Sequence, residues 1–450
     1  MRFLLTPSNP QLGAIAANAE ALRVARAQAA GEGAALLVTP EASLSGAPAA
    51  DIAARPELLA ACEAALQALA AETGDGGPGL LVGAPWREGG RLYSGLLLLE
   101  GGRIVARRAR HAFPQGPEPR LSPGPAPGPV AFRGLRLGLM SGADAEDAGI
   151  AETLQETGAD LLLSLTATPF SGEPEDRTSD RAVGPVVETG LPFLGLNLRG
   201  GQGPWVYPGG GFVLNADRRL AARLPAFRPA PLLVTWEEGE AGWRCLPQPL
   251  PPAMPQAERL WQALCLALAD AVAKGGFAGV MTDPAEGAPA GLLAAAAREA
   301  GLRLTEAGDL LPARPSPERD AALARKAAAA GGLLLNGADA TALALGEGGR
   351  AGHLAPLRDL WRGELAALAI ARGLPLPVVA AETDAILRGL LEAEKPVDVL
   401  AAEGYDPAEV SRLWRMVAAA AYKRRQAPLG LRLGRGQSDP FSNGMTGLLP

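Results

Sequence analysis

The chain has 450 residues, of which 48% are hydrophobic and 20% charged, so it can bury more than one hydrophobic core. Its net charge of −6 argues against a broad nucleic-acid-binding surface, which needs clustered lysine and arginine. Three cysteines without CxxC spacing and only two histidines exclude a zinc ribbon and indicate no metal site. No apolar run approaches the ~18 residues of a membrane span, and the N-terminal segment lacks a signal-peptide pattern, so we expect a cytoplasmic protein with no membrane partner.

The first half of the chain alternates short apolar runs with segments of helical composition. The predicted strands are residues 2–6, 35–39, 79–83, 91–99, 103–108, 135–140, 160–165 and 193–198. The predicted helices are residues 11–30, 58–72, 150–157 and 176–188. Two adjacent glycines at 101 and 102 separate two of these strands and predict a hairpin. Apolar runs separated by helices predict a layered α/β domain with buried strands.

A proline cluster divides the chain near residue 250. Its five prolines interrupt both helices and sheet ladders, so they predict a semi-rigid linker at 246–257, between a domain at 1–245 and another at 258–450. Downstream, the predicted helices are residues 257–274, 290–300 and 360–372, and the predicted strands are residues 277–281 and 333–336. The second domain is therefore expected to be α/β with few strands.

Six segments in chain order carry a shared pattern. They are residues 9–18, 36–52, 158–170, 189–220, 354–369 and 422–433, the last followed by Pro-Phe-Ser-Asn-Gly at 440–444. Together they resemble the glutamine-dependent NAD synthetase family, which joins a nitrilase-like amidase domain to an ATP-using synthetase domain. The resemblance implies an N-terminal nitrilase-like α-β-β-α sandwich and a reduced C-terminal Rossmann-like α/β domain of the adenine nucleotide alpha hydrolase type.

The first candidate site is the amidase site that this resemblance implies. A nitrilase-type amidase needs a thiolate nucleophile, a carboxylate that takes its proton and a lysine that stabilises the oxyanion. The resemblance places the carboxylate at Glu41, within residues 39–46, and the lysine position at Arg110, within residues 110–114. An arginine keeps the positive charge but differs from lysine in size and geometry.

The nucleophile position holds no cysteine. Counting along the chain places it at Gly142, whereas matching the acidic pair of the family motif places it at Ala145. Ser141 is the nearby hydroxyl, and it would need a stronger base than a lone carboxylate. The resemblance therefore implies that glutamine hydrolysis is lost. Glu41 is then either a base with no thiol to deprotonate or, as we favour, a carboxylate paired with Arg110 in a closed pocket.

The second candidate site follows the first predicted strand of the second domain. There the family has a pyrophosphate loop, whose backbone N–H groups hold phosphate. The resemblance assigns Thr282, Asp283, Pro284, Glu286 and Gly287 to this loop. Pro284 supplies no N–H donor, and Asp283 and Glu286 bring negative charge to the phosphate position. We therefore expect no cofactor, with ATP and Mg²⁺ bound only if the chain is active.

Three further stretches of the second domain depart from the family pattern. A later ATP motif aligns with residues 336–341 and keeps only Gly337. Residues 347–352 form a shortened segment, and residues 301–320 compress a stretch in which the family has a further strand and helix. The resemblance therefore implies a nucleotide site that is both acidic and shortened.

A few possible contacts to a dinucleotide remain. Asp359 and Lys423 match family positions near the substrate, and Arg424 and Arg425 adjoin Lys423. This basic group either binds an anion such as a dinucleotide phosphate or, as we favour, complements the dipole of a helix end.

These features lead to three functional hypotheses. The first is a catalytically inactive relative of the synthetase with a structural or regulatory role, as a homo-oligomer or in a hetero-oligomer with an active NAD synthetase. The second is an active or impaired NAD synthetase that amidates nicotinic acid adenine dinucleotide with ATP and either glutamine or ammonia. The third is a ligand-sensing binding module. We favour the first, because both reaction centres differ from the family pattern.

Overall fold

The computed structural model describes residues 1–113, 120–172, 176–240, 242–308, 316–347, 351–375 and 381–434. Pro114, parts of the stretches 301–320 and 347–352, and the motif at 440–444 lie outside these ranges. The chain forms two compact units. The first comprises Met1–Pro169, Pro174–Gln202 and Tyr207–Met254, and the second comprises Phe170–Glu173, Gly203–Val206 and Pro255–Pro450.

The described part of the first unit contains two mixed β-sheets. Its strands are β1 (Arg2–Leu5), β2 (Leu36–Val38), β3 (Gly79–Glu88), β4 (Arg91–Glu100), β5 (Arg103–Ala109), β6 (Val130–Phe132), β7 (Leu135–Ser141), β8 (Leu161–Thr166), β9 (Phe193–Asn197), β10 (Arg199–Gln202), β11 (Trp205–Leu214), β12 (Leu220–Ala226), β13 (Leu232–Gly239) and β14 (Gly242–Cys245). One sheet has the order β14-β13-β1-β2-β3-β4-β5, and the other has the order β10-β11-β9-β8-β7-β6 with β12 paired to β11. The predicted hairpin is β4–β5, which pair antiparallel.

Helices cover the outer face of each sheet. They are α1 (Ile15–Gly31), α2 (Ala49–Ala53), α3 (Pro56–Glu72), α4 (Ala148–Glu156) and α5 (Asp176–Thr189). Alternate residues of β1 serve different layers: Leu4 packs with α1 and α3, whereas Phe3 and Leu5 join the core between the two sheets. A third apolar cluster packs α4 and α5 against the second sheet. These layers confirm the predicted α-β-β-α sandwich.

The second unit is built around a small parallel sheet. Its strands are β15 (Gly279–Thr282), β16 (Leu304–Glu306), β17 (Gly332–Leu334), β18 (Leu354–Ala355) and β19 (Leu429–Gly430). Its helices are α6 (Gln256–Gly275), α7 (Ala288–Glu299), α8 (Pro317–Ala330), α9 (Ala340–Leu345), α10 (Arg362–Arg372), α11 (Ala381–Leu391), α12 (Val397–Ala402), α13 (Pro407–Ala419) and α14 (Ala421–Arg424). The sheet order is β16-β15-β17, with β18 and β19 paired apart from it. The predicted reduced Rossmann-like α/β domain is confirmed.

Two features of this half bear on the sequence predictions. Within its described residues, the stretch 301–320 holds β16, which pairs in parallel with β15, and the start of α8. The predicted linker at 246–257 overlaps α6, which begins at Gln256. Its first part is fixed to the first unit, since Gln248 N donates to Ala221 O at 2.8 Å. Among the described helices, none combines the length and apolar character needed to cross a bilayer.

Candidate functional site

Glu41 lies in the loop that leaves the carboxyl end of β2. Its side chain is buried, and the next residue, Ala42, has the left-handed φ of 59°. The loop packs directly on β3, because a Cβ on Gly83 would lie only 2.4 Å from the backbone N of Ala42. A glycine is therefore required at position 83 for the loop to hold Glu41 in this place.

Hydrogen bonds from three sides fix this loop. Ser43 Oγ accepts from Gly83 N at 3.1 Å, and Asn18 Nδ2 donates to Leu44 O at 2.8 Å. Gln202 Oε1 accepts from the N–H of the loop residue 47 at 3.0 Å. Asn18 and Gln202, which belong to the sequence segments quoted above, thus position the loop that carries Glu41.

Gly142 lies between Glu41 and Arg110. It follows β7 with a φ of +58°, and a Cβ built on it would lie 3.1 Å from Glu41 Oε2 and 3.1 Å from Arg110 Cδ. Ala145, the other candidate for the nucleophile position, instead packs against the apolar cluster of α4 and α5. The structure therefore brings together Glu41, Arg110 and Gly142, and leaves Ala145 out of this group.

Arg110 follows β5 and points its aliphatic stem at the space beside Gly142. Its Nε lies 3.2 Å from the Cβ position of Gly142 and donates to Ala112 O at 3.1 Å. Its guanidinium lies over the ring of Phe113, 4.3 Å from the centroid. The side chain is thus directed along its own loop, and its stem occupies volume that a side chain at position 142 would need.

Two further residues, which the sequence analysis did not assign to the site, lie near it. The buried carboxylate of Asp144 accepts hydrogen bonds from the backbone N–H groups of Ser141, His111 and Ala112, at 2.8–3.0 Å. Burial raises the pKa of Asp144 even though these donors favour the charged form. Asp144 therefore ties the turn that carries Gly142 to the segment after Arg110. The available signal was its place in the run SGADAED, within one turn of Gly142.

Tyr207 is the second residue. Its side chain is buried, and its pKa is raised by burial and by the negative charge of Glu41. It therefore lies within electrostatic reach of the carboxylate. Tyr207 stands five residues after Gln202, in the segment that follows Gly-Gly-Gln, where the sequence alone favours a core or interface role for the aromatic side chain.

The three thiols of the chain lie elsewhere and are unreactive. Cys62, Cys245 and Cys265 are all buried, and burial raises each thiol pKa to about 12. The hydroxyl of Ser141 is also buried, and no described histidine or carboxylate is hydrogen-bonded to it. The site thus offers a carboxylate and a guanidinium, with no activated nucleophile between them among the described residues.

The loop after β15 is closed by an ion pair within the chain. Asp283 accepts from Ala285 N at 3.1 Å and from both Nε and Nη2 of Arg319, the shortest of these contacts being 2.6 Å. Both charged side chains are buried. The carboxylate is therefore committed to a cation on α8, and Pro284 provides no N–H donor at this turn.

Glu286 makes the second contact of this loop. Its Oε2 accepts from the backbone N of Gly337 at 2.7 Å, in the segment that follows β17. Burial raises the pKa of Glu286 to about 7, and the charges of Asp283 and Asp320 act in the same direction. Gly287, with a φ of 70°, then leads into α7. Both carboxylates of this loop are thus hydrogen-bonded within the chain, Asp283 to Arg319 and Glu286 to the backbone N–H of Gly337.

The segment 336–341, which the resemblance aligns with a later ATP motif, contains the N-terminal cap of α9. Asp339 accepts from Ala342 N at 2.7 Å, which caps α9, and it pairs with Arg362 at 3.2 Å. Thr341 Oγ1 donates to Asp384 Oδ1 at 2.6 Å. These side chains stabilise the junction of α9, α10 and α11.

Asp359 is occupied by the C-terminal part of the described chain. Its Oδ2 accepts from the backbone N–H groups of Leu433 and Gly434. Burial raises the pKa of Asp359 to about 6. The carboxylate therefore fastens the segment after β19.

The two basic candidates contact helix ends. Lys423 Nζ donates to Gly346 O at 2.9 Å, at the C-terminus of α9. The buried Arg424 donates to Ala344 O and to Val417 O, at 3.3 and 2.6 Å. Carbonyl oxygens at the end of a helix attract cations, so both residues have the geometry of helix-end contacts.

The comparisons with known proteins agree with this architecture. Residues 8–228 match the carbon-nitrogen hydrolase family. Over 527 aligned positions the chain is 29% identical to the glutamine-dependent NAD(+) synthetase of Rhodobacter capsulatus, with 96% of this chain and 95% of the relative covered. The Synechocystis enzyme of the same name is 28% identical, with 68% of this chain and 59% of the relative covered.

Solved structures show the same fold over nearly the whole chain. The glutamine-dependent NAD+ synthetase of Acinetobacter baumannii, solved with ADP, has a TM-score of 0.72 at 20% identity, covering 98% of this chain and 97% of its own. The glutamine-dependent NAD(+) synthetase of Cytophaga hutchinsonii has a TM-score of 0.76 at 15% identity, and the match covers 99% of this chain and 98% of that protein. Residues 8–228 of this chain thus match a carbon-nitrogen hydrolase domain, and the chain as a whole is similar to glutamine-dependent NAD(+) synthetases in sequence and in fold.

Proposed function

We propose that this protein is a catalytically inactive homologue of glutamine-dependent NAD(+) synthetase with a structural or regulatory role. The observation that carries the proposal is Gly142, which has no side chain, although a Cβ at this position would lie 3.1 Å from both Glu41 Oε2 and Arg110 Cδ. A covalent amidase reaction needs an attacking atom at such a point, because the carboxylate and the cation act on the nucleophile and on the oxyanion that it creates.

The second half of the chain supports the same proposal. Transfer of a nucleotidyl or phosphoryl group depends on donors and cations that face the phosphates. In this loop Asp283 and Glu286 place negative charge where a phosphate would need donors. The cation Arg319 is paired with Asp283 at 2.6 Å. We infer that the chain uses neither ATP nor Mg²⁺ and needs no other cofactor.

The retained fold suggests a role through assembly. Asn18, Gln202 and Gly83 still hold the loop of Glu41, although a protein without amidase activity has no catalytic need for that loop. We infer that the chain acts in the cytoplasm as a homo-oligomer or together with an active NAD synthetase, whose assembly or activity it modulates.

Two assays test the loss of chemistry. One measures glutamate released from glutamine, and the other measures NAD formed from nicotinic acid adenine dinucleotide, ATP, Mg²⁺ and ammonia. The Rhodobacter capsulatus relative serves as the parallel control. We expect rates at the level of an enzyme-free blank in both assays. Turnover in either assay above that blank would contradict the proposal.

Mixing experiments test the assembly role. The purified chain is combined with the active synthetase from the same cell, and the mass of the complex and the rate of NAD formation are measured. We expect a mixed complex or an altered rate. Separate elution together with an unchanged rate would exclude this partner.

A further inference from the structure

The strand order of the second unit puts a topological reversal point, here called the crevice, between the ends of β15 and β17. The strand order β16-β15-β17 means that the chain leaves β15 toward one side and later returns to its other side. In open parallel sheets, ligands bind outside the carboxyl ends of the strands at such a reversal point. The segments that leave β15 and β17 there carry Glu286 and Gly337.

A carboxylate of the chain itself fills this crevice. Glu286 Oε2 lies 2.7 Å from the backbone N of Gly337, and a Cβ on Gly337 would lie 2.7 Å from the same oxygen. The bare Cα of Gly337 therefore admits the carboxylate. A backbone N–H at a strand end is the type of donor that binds anions, and here an internal anion uses it.

The surrounding charges make this an unfavourable place for a carboxylate. Arg319 is the nearby cation, and Asp283 already neutralises it through a buried bidentate contact. Asp320 adds a further negative charge that acts on Glu286. Burial and these like charges raise the pKa of Glu286 to about 7. The hydrogen bond from Gly337 therefore holds the Glu286 carboxylate in a place where burial and the neighbouring negative charges disfavour its charged form.

We propose that Glu286 is an intramolecular plug, which occupies the anion position at Gly337 and excludes small anions such as phosphate from the crevice. The proposal rests on the proposed function, because it explains how the nucleotide crevice of an inactive homologue is closed. It identifies the excluded ligand class as phosphate-like anions.

Removal of the plug should uncover the anion position in a graded way. Glu286→Ala frees the N–H of Gly337, and Asp283→Asn combined with Glu286→Ala also leaves the charge of Arg319 uncompensated. Binding of inorganic phosphate is measured by isothermal titration calorimetry on the full chain. We expect no binding by the unmodified chain, weak binding by Glu286→Ala, and binding about tenfold tighter by the double variant, since one more negative charge is gone.

A second readout and a control keep the test specific. Hydrogen exchange at the Gly337 amide should accelerate in Glu286→Ala and stay unchanged in Glu286→Gln, whose amide oxygen still accepts the bond. Glu382→Ala, at an exposed carboxylate on α11, removes the same charge elsewhere and should not promote phosphate binding.

The outcomes separate the plug from the proposed function. If the variants keep the circular dichroism of the parent and none binds phosphate, the plug is overturned and the proposed function stands. If Glu382→Ala gains binding as much as Glu286→Ala, the plug is also overturned, because net charge alone explains the effect. If the unmodified chain binds phosphate as tightly as the double variant, both the plug and the inference of a closed nucleotide site fail.

Discussion

At the residue scale, the two positions of the first site that depart from the family pattern, Gly142 and Arg110, lie next to each other. Gly142 has no side chain, and Arg110, at the position where the resemblance implies a lysine, directs Cδ to 3.1 Å from where a Cβ would be. The stem of Arg110 thus fills volume beside the glycine. We interpret the two residues as a compensating pair, in which each makes the other tolerable.

The first prediction concerns Gly142→Ala. A Cβ here meets Glu41 and Arg110 at 3.1 Å on a backbone with a φ of +58°, so we expect a loss of about 1–3 kcal/mol in the free energy of unfolding. Urea denaturation measures it. Gly31→Ala, at the last residue of α1 in the same unit and with open space around it, is the control and should be neutral or stabilising. Equal stability of Gly142→Ala and the parent would contradict the crowding that we describe.

The second prediction tests the coupling of the pair. Gly142→Cys should be less destabilising in an Arg110→Lys background, because lysine lacks the guanidinium group that holds the side chain against Ala112 O and the Phe113 ring, so its stem can move away from position 142. A double-mutant cycle of unfolding free energies should give a coupling of at least ~0.5 kcal/mol in favour of the double variant. Strict additivity would show that the two positions are independent.

The sequence was sufficient to propose which positions belong to each candidate site. It could not predict contacts between residues that are far apart in the chain and meet only after folding. The choice between Gly142 and Ala145 stayed open, because only the short turn after β7 decides which of them faces Glu41. The sequence analysis interpreted Asp283 as a negative charge that repels phosphate. Its ion-pair partner, Arg319, lies 36 residues away on α8, and no local sequence pattern predicts that pairing.

At the scale of elements, apolar runs predicted where strands lie but not how far they extend. The predicted strand 79–83 continues as β3 to Glu88 through Pro85, which stands opposite Ser94 of β4. Proline normally marks the end of a ladder, so the prediction stopped early. Long antiparallel pairing with β4 outweighs that local signal.

The third prediction concerns the ion pair between the β15 loop and α8. Asp283→Ala leaves the buried charge of Arg319 without its carboxylate, which should lower stability by about 3–5 kcal/mol. Asp283→Asn keeps an acceptor and should be milder. Denaturation curves compare them with Glu409→Ala, which breaks an exposed pair with Arg412 and should change stability by less than ~1 kcal/mol. Equal effects for the buried and exposed pairs would contradict this role of Asp283.

The fourth prediction concerns pH. The pKa of Glu286 is raised to about 7 in the folded chain, against an ordinary value of 4.5, so the folded state binds this proton more tightly than the unfolded state does. The contribution of this protonation to the free energy of unfolding is therefore fully present below pH ~4.5 and is lost as the pH rises toward 7. Asp359, whose pKa is raised to about 6, acts in the same direction.

Replacement of Glu286 isolates its share of this pH dependence. Between pH 5 and 8, the fall in stability with rising pH should be smaller in Glu286→Gln than in the parent, and Asp359 should account for part of the slope that remains. Urea denaturation at several pH values measures the two slopes. Identical slopes would show that Glu286 does not titrate in this range in the folded chain.

At the scale of the whole molecule, the chain has the fold of the solved synthetases over nearly its whole length. The differences that the sequence analysis found are confined to the two candidate reaction centres. The chain takes up 95% of the length of the Rhodobacter capsulatus relative, yet the alignment needs 527 positions for a chain of 450 residues, so part of the relative has no counterpart here. The fold class was predictable because many dispersed residues specify it. The biological role was not predictable, because the partner that we propose leaves no local sequence pattern.

The most direct test of the central claim is covalent labelling of the amidase site. A glutamine analogue that carries a diazoketone alkylates an activated amidase nucleophile, and intact-protein mass spectrometry counts the adducts. The Rhodobacter capsulatus relative is treated in parallel. The account predicts an unmodified mass for this chain under conditions that label the relative. One adduct per chain, mapped by peptide analysis to a residue beside Glu41, would contradict it.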